Sequence, residues 1–195
     1  MNWRKIDDNW KSFVEDYNLK EESGENNYFY GKQELYRASE DFQGFYIHYE
    51  NKFNKSAELG SSFRIGHRLT FVSPIELDQN WNLTMEKKSL WTRIFNSSEK
   101  LKIECSDKLV INLLPIDEIE FVTSFFPDLK LSVKKFDKFQ NQYITYGQNV
   151  LMIETKYQPE EFEHLKKTRE VMILILEKLK MNKKIKPAHN TVYSK

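Results

Sequence analysis

Near the start of the chain, Trp3, Ile6, Trp10, Phe13, Val14 and Tyr17 recur every three or four positions, with Arg4, Lys5, Asp8, Lys11, Glu15 and Asp16 between them. Residues three and four apart share a helix face, so this spacing predicts an amphipathic helix. Two tryptophans on one short helix require a large apolar surface to dock on, which the protein's own sheet would supply. A polar connector, 18–27, follows. From Tyr28 to Val133 the period falls to two. Phe45, Ile47 and Tyr49 alternate with Tyr46 and His48, and Phe63, Ile65, His67, Leu69 and Phe71 alternate with Arg64, Gly66, Arg68 and Thr70. Side chains of a strand alternate between its faces, so each run predicts a strand with one buried face. Shorter alternations at Trp81-Leu83-Met85, Leu101-Ile103-Cys105, Leu109-Ile111-Leu113 and Leu129-Leu131-Val133 predict further strands. Short links with turn chemistry, among them Ser73-Pro74, Asp78-Gln79-Asn80 and Ser106-Asp107, favour antiparallel pairing over crossover helices.

Pro115 to Val122 breaks this pattern. Proline at the helix start, acids in the first turn and Pro127 as a stop predict a short helix with Ile116, Ile119 and Val122 on one face. Tyr143–Tyr146 and Val150–Ile153, joined through Gly147-Gln148-Asn149, predict a hairpin. Pro159, Glu160 and Glu161 then open a long helix whose apolar face is Phe162, Leu165, Met172, Leu176 and Leu179, closed by lysines. The fold expected is α+β: a mostly antiparallel sheet or half-barrel of about seven to nine strands. It carries an N-terminal amphipathic helix, a short middle helix and a long C-terminal helix. Residues 1–181 form one domain in this scheme, and 182–195 a basic, polar, flexible tail. A boundary near residue 115, between two sheet-plus-helix halves, is the alternative.

Composition narrows the function classes. Of 195 residues, 39% are hydrophobic and 14% aromatic, which argues for an aromatic-rich core and against a disordered chain. Alanine occurs only at 38, 57 and 188, which disfavours an idealised helical bundle. The net charge is +1, so no global field attracts a polyanion and nucleic acid is a disfavoured partner. The N-terminus has no apolar signal-peptide core, and no run approaches the roughly 18 apolar residues of a membrane span. Cys105, the single cysteine, permits neither an internal disulfide nor a thiolate metal cage and suits a reducing, cytoplasmic setting.

Catalytic chemistry has little local support. No Gly-x-Ser-x-Gly elbow, phosphate loop or dinucleotide fingerprint occurs, and Cys105 has no adjacent base. Glu161 and His164 have the Glu-x-x-His spacing of di-iron helices, but a second copy is missing, so they are expected as a solvated first-turn cluster. His67, in the apolar phase of its strand, is expected in the core. Tyr46 and His48 on one strand, with Arg64 and Arg68 on the polar phase of another, are the candidate binding residues, a polar surface if the two faces coincide. No cofactor or metal is expected.

The order of elements resembles that of uncharacterised bacterial α+β proteins of Bacteroidetes type. The likeness rests on the aromatic N-terminal helix, the Tyr30-Gly31-Lys32 strand entry, Leu113-Leu114 leading into a short helix, and the final strand pair running into a long helix. An Asn-, Lys-, Ile- and Phe-rich, Ala-poor composition agrees with such a source. The resemblance implies a fold and no activity. The function expected is a non-enzymatic binding or assembly module for an unknown protein or small molecule; the alternative is an enzyme with a site of scattered polar residues on the sheet. The run Val171–Leu176 is apolar at six consecutive positions, more than one packed helix face can bury. It is therefore also a candidate homodimer face.

Overall fold

A computed structural model describes residues 2–22, 24–28, 31–54, 67–88, 101–137 and 144–188. Its elements in chain order are α1 (Trp3–Asp16), β1 (Lys20–Glu21), β2 (Gly24–Tyr28), β3 (Gly31–Phe42), β4 (Phe45–Asn54), β5 (Arg68–Leu77), β6 (Leu83–Lys87) and β7 (Leu101–Cys105). There follow α2 (Lys108–Leu113), α3 (Ile116–Phe125), β8 (Lys130–Lys135), β9 (Asn149–Thr155), α4 (Phe162–Met181) and β10 (Ile185–Pro187). The strands lie in the order β1-β3-β4-β5-β9-β8-β6-β7, with β2 beside β3 and β10 beside β5. Every pairing is antiparallel. The change of period from helix to sheet and back thus yields the expected α+β architecture, an open antiparallel sheet flanked by helices.

Register fixes which side chains share a face. Tyr49 lies opposite Ala38 and Phe71, Phe71 opposite Ile153, Ile153 opposite Leu131, and Leu131 opposite Met85. These residues belong to one buried cluster with Trp10 and Phe13 of α1 and Leu165, Met172, Ile175, Leu176 and Leu179 of α4. The Phe13 ring meets Tyr49 edge-on at 5.2 Å and stacks on Phe71 at 6.0 Å. The aromatic N-terminal helix docks on the sheet of its own chain, as its two-tryptophan pattern predicts through Trp10. Among the described residues, no helix is long and apolar enough to cross a membrane.

Polar contacts also cross this apolar layer, Tyr36 of β3 to Asp7 of α1 among them. Arg169 of α4 donates from Nε and Nη2 to the two carboxylate oxygens of Glu40 on β3, at 2.8 and 2.7 Å. Tyr49 donates its hydroxyl to the same carboxylate. The guanidinium also lies 4.0 Å from the centre of the Tyr17 ring. Burial, followed by the Glu40 charge, holds the Tyr49 hydroxyl well above its ordinary pKa, so it stays a donor.

Four local expectations are corrected. Leu109–Leu113 is not a strand but the helix α2, because Asp107 acts as an N-cap, accepting from the Leu109 amide at 2.9 Å. Two short middle helices therefore replace the single one expected. Ser73-Pro74 is not a turn but lies inside β5. β4 pairs with β5 only up to Val72 and β10 begins at Ile75, so Pro74 falls in the step between partners, where a missing amide is tolerated. The expected hairpin before β9 is not formed by Ile144–Tyr146, which make a bend and turn, and β9 pairs instead with β8 and β5; Tyr143 lies outside the described residues.

The fourth concerns the chain after α4. Lys183 adopts φ 56°, Lys184 N–H returns to Leu179 O at 2.9 Å and Lys183 N–H to Lys180 O at 2.9 Å. This Schellman turn reverses the chain. Ile185 then enters the core, 1% exposed, and β10 pairs with β5. Residues 182–188, assigned to the tail, are thus part of the fold; 189–195 lie outside the described residues. Pro187 reaches Gly44, whose φ of 90° in the tight β3–β4 turn already favours glycine and where a Cβ would meet Pro187 at 3.3 Å.

Arg169→Ala should lower stability in urea by about 3 kcal/mol, because it leaves the half-sealed Glu40 carboxylate without its cation. The double variant Glu40→Gln/Arg169→Met should recover most of that loss. An Arg169→Ala midpoint equal to wild type would show that the ion pair contributes nothing net.

Candidate functional site

The sheet face opposite the helices holds the polar residues singled out from the sequence. Tyr46 and His48 are neighbours there on β4, with ring centroids 4.2 Å apart in an edge-on arrangement. The Tyr46 hydroxyl lies 3.0 Å from Ser39 Oγ on β3. Arg68 projects from the same face of β5, opposite Lys52, whereas His48 lies opposite Val72. Four residues of strand separate the two positions, roughly 13 Å at 3.3 Å per residue. Arg64 lies outside the described residues. The structure thus brings together Tyr46 and His48 and leaves Arg68, exposed, towards the far end of the face.

The hollow beside His48 is small. Lys20, Glu22, Arg37, Ser39, Glu50, Thr70 and Val72 are among the residues that line it with His48, around a volume of about 30 Å³. That is near the space one water takes in the liquid and far below a substrate site. Its charges are spent on each other: Arg37 Nε lies 3.1 Å from Glu50, and Lys20 Nζ 3.5 Å from Glu22. Burial pushes the His48 pKa down to about 3. A general acid or base works best with a pKa near the operating pH, and His48 is neutral there instead.

The other candidates resolve as packing. His67 is 2% exposed, in the core phase its spacing predicts. His164 stacks on Phe125 at 4.5 Å, while Glu161 pairs with Lys5, so the Glu-x-x-His spacing does not converge on one point. Among the described residues, no group of three or more His, Cys, Asp or Glu side chains is placed to hold a metal ion. Cys105 donates Sγ–H to Asp107 O at 3.2 Å, and burial pushes its thiol up, away from the reactive thiolate.

A larger concavity lies on the helical side. α3 and α4 border a groove of about 550 Å³, lined by Asp117, Glu118, Phe121, Val122, Lys167, Glu170, Val171 and Leu174. Its origin is visible in the helix phases. α3 turns Ile119 and Val122 into the core, which sends Phe121 outward, 52% exposed. In α4, Val171, Met172, Ile175 and Leu176 are buried, Ile173 is half-buried against the core, and Leu174 is half-buried beside the groove. The continuous apolar run is therefore absorbed within the fold except along this strip. Lys167 pairs with Glu170 at 2.7 Å across one turn of α4. Asp117 and Glu118 are exposed and, among the described residues, make no ion pair. Residue patterns alone missed Phe121; the available signal was an aromatic lying off the Ile116, Ile119 and Val122 face of its helix.

His48 carries a pH signature. Its folded-state pKa is depressed below the unfolded value of about 6.5, so the unfolded chain binds the extra proton and stability falls as pH drops through the interval from 6.5 towards 3. Between pH 7 and 5 a His48→Gln variant should lose about 1–2 kcal/mol less stability than wild type, measured by urea unfolding. Equal losses in the two proteins would mean that His48 can be protonated in the folded state.

Comparison with protein-family models, with curated proteins and with solved structures finds nothing that matches this chain.

Proposed function

We propose that the protein is a non-enzymatic binding module that docks an apolar segment of a partner into the groove between α3 and α4. The observation that carries this reading is the contrast in volume, about 550 Å³ at the groove against about 30 Å³ at the polar sheet face. Substrate chemistry needs several polar groups converging on a space that holds a small molecule. His48 borders a hollow of water size, itself neutral and set among mutually paired charges. The groove has the opposite character. Phe121 is half exposed at its edge, and Val122, Val171 and Leu174 supply apolar surface. Together they give the groove a mainly apolar lining, the character of surface that interaction sites use. A cytoplasmic setting agrees with the single cysteine and its suppressed thiolate.

The test uses a fluorescent 18-residue helical peptide with leucines on one face and glutamines on the other, titrated into the whole protein. Saturable binding is expected, weakened at least about fivefold by Phe121→Ala, a scale ordinary for an aromatic anchor at an interface. Phe121 is exposed, so its variant should keep the wild-type melting temperature within about 2 °C. Absence of saturable binding, or binding indifferent to Phe121→Ala, would overturn the proposal.

A further inference from the structure

We infer that the segment this groove takes is a basic amphipathic helix, one whose apolar ridge is flanked by Lys or Arg. The inference rests on the groove being a docking site and adds the chemistry of its occupant. Three carboxylates, Asp117, Glu118 and Glu170, line it against one ammonium, Lys167. Lys167 is already engaged, 2.7 Å from Glu170 and 3.7 Å from Glu163. Among the described residues, no cation pairs with Asp117 or Glu118. They do favour the start of α3, whose N-cap Pro115 offers no side-chain bond. That local role leaves their outward charge uncompensated at the groove wall. The chain as a whole carries only +1, so the acidic rim is a local feature.

Shape points the same way. The groove runs between two helices, and a third helix laid along it would bury Phe121 and Leu174 with residues at i, i+3, i+4 and i+7. Its cationic flanks would meet Asp117 and Glu118, raising the association rate and fixing orientation. A second copy of this chain fits less well. Two copies would bring two acidic rims together, and a stable dimer buries about 800 Å² per partner, far more than Phe121 and Leu174 offer. An anionic membrane surface would be repelled by the same carboxylates.

The experiment titrates the whole protein with three labelled 18-residue peptides, leucine on one face and lysine, glutamine or glutamate on the other. The lysine peptide should bind about tenfold tighter than the glutamine peptide, with the glutamate peptide weakest. Raising NaCl from 50 to 500 mM should erase most of that advantage, since exposed charges are screened. Asp117→Asn/Glu118→Gln should bring the lysine peptide to the glutamine level, and Glu118→Gln alone should go part of the way if the double variant is poorly folded. Equal affinities for the lysine and glutamine peptides, or a lysine advantage that survives in these variants, would overturn the inference while leaving the groove as a docking site. Failure of all three peptides would overturn both. Sedimentation of the protein alone gives the remaining outcome: a dimer that Phe121→Ala converts to folded monomer would show that a second copy fills the groove, and the inference would fall.

Discussion

The structure depends on how α4 is held against the sheet, and the Glu40–Arg169 pair sets that. Apolar contacts alone would let a helix rolling on an aromatic surface choose among several rotations, because Val171–Leu176 offers hydrophobic side chains in every direction. A bidentate ion pair at 2.7 and 2.8 Å admits one rotation. With Arg169 turned to β3, Leu165, Met172 and Leu176, four before and three and seven after, face the sheet with it. Leu174, five after, turns away. The clamp therefore selects which part of an all-round apolar run is left at the surface. An ion pair so placed adds little net stability when compared with an apolar pair of equal volume, and its effect here is to specify one packing.

The ends of both long helices extend this constraint to the rest of the chain. α1 stops in a Schellman turn at Asn18, φ 47°, with Leu19 N–H returning to Val14 O at 2.9 Å. α4 stops in the same way at Lys183. In each case the reversal hands the chain to a strand: β1 beside β3, and β10 beside β5. Lys184 then pairs with Asp107, the residue that caps α2, through a contact in which both side chains are mostly shielded. The last turn of α4, the cap of α2 and the outer half of β5 are thereby joined at one place. The position of α3, which follows α2 after a single proline-bearing step, is set by the same junction.

How much of this was legible in the sequence follows from what periodicity records. It registers burial averaged over a few residues, so α1, α4, β4, β6 and β7 could be read directly. It fails where one polar residue decides the backbone. Ser106-Asp107 has the composition of a turn and of a helix cap alike; the choice between them fixed whether Leu109–Leu113 became strand or helix. Pro74 would end most strands, and only the handover from β4 to β10 makes it acceptable. Ile185 is one apolar residue in a basic segment, too little signal to reveal a strand. The candidate site fared similarly. Tyr46 and His48 were correctly placed on one face, but alternation cannot distinguish a polar face open to a ligand from one whose charges satisfy each other. Phe121 was readable only as an aromatic out of phase, a feature that gains meaning once α4 is known to lie beside it.

The two faces of the sheet also differ in what they permit a partner to do. On the strand side, side chains stand on a rigid ladder, and the Arg37–Glu50 pair and the Ser39–Tyr46 contact link β3 to β4. Opening that surface to a ligand would break cross-strand contacts that also hold the sheet register. On the helix side, α3 carries its exposed aromatic on a short segment joined to the sheet by links at both ends, and adjustment there disturbs no ladder. A segment docking against Phe121 would gain apolar burial without displacing a satisfied polar group. Such an exchange would be favourable at low energetic cost, which is the physical reason the proposed recognition is placed at the groove rather than at the polar face.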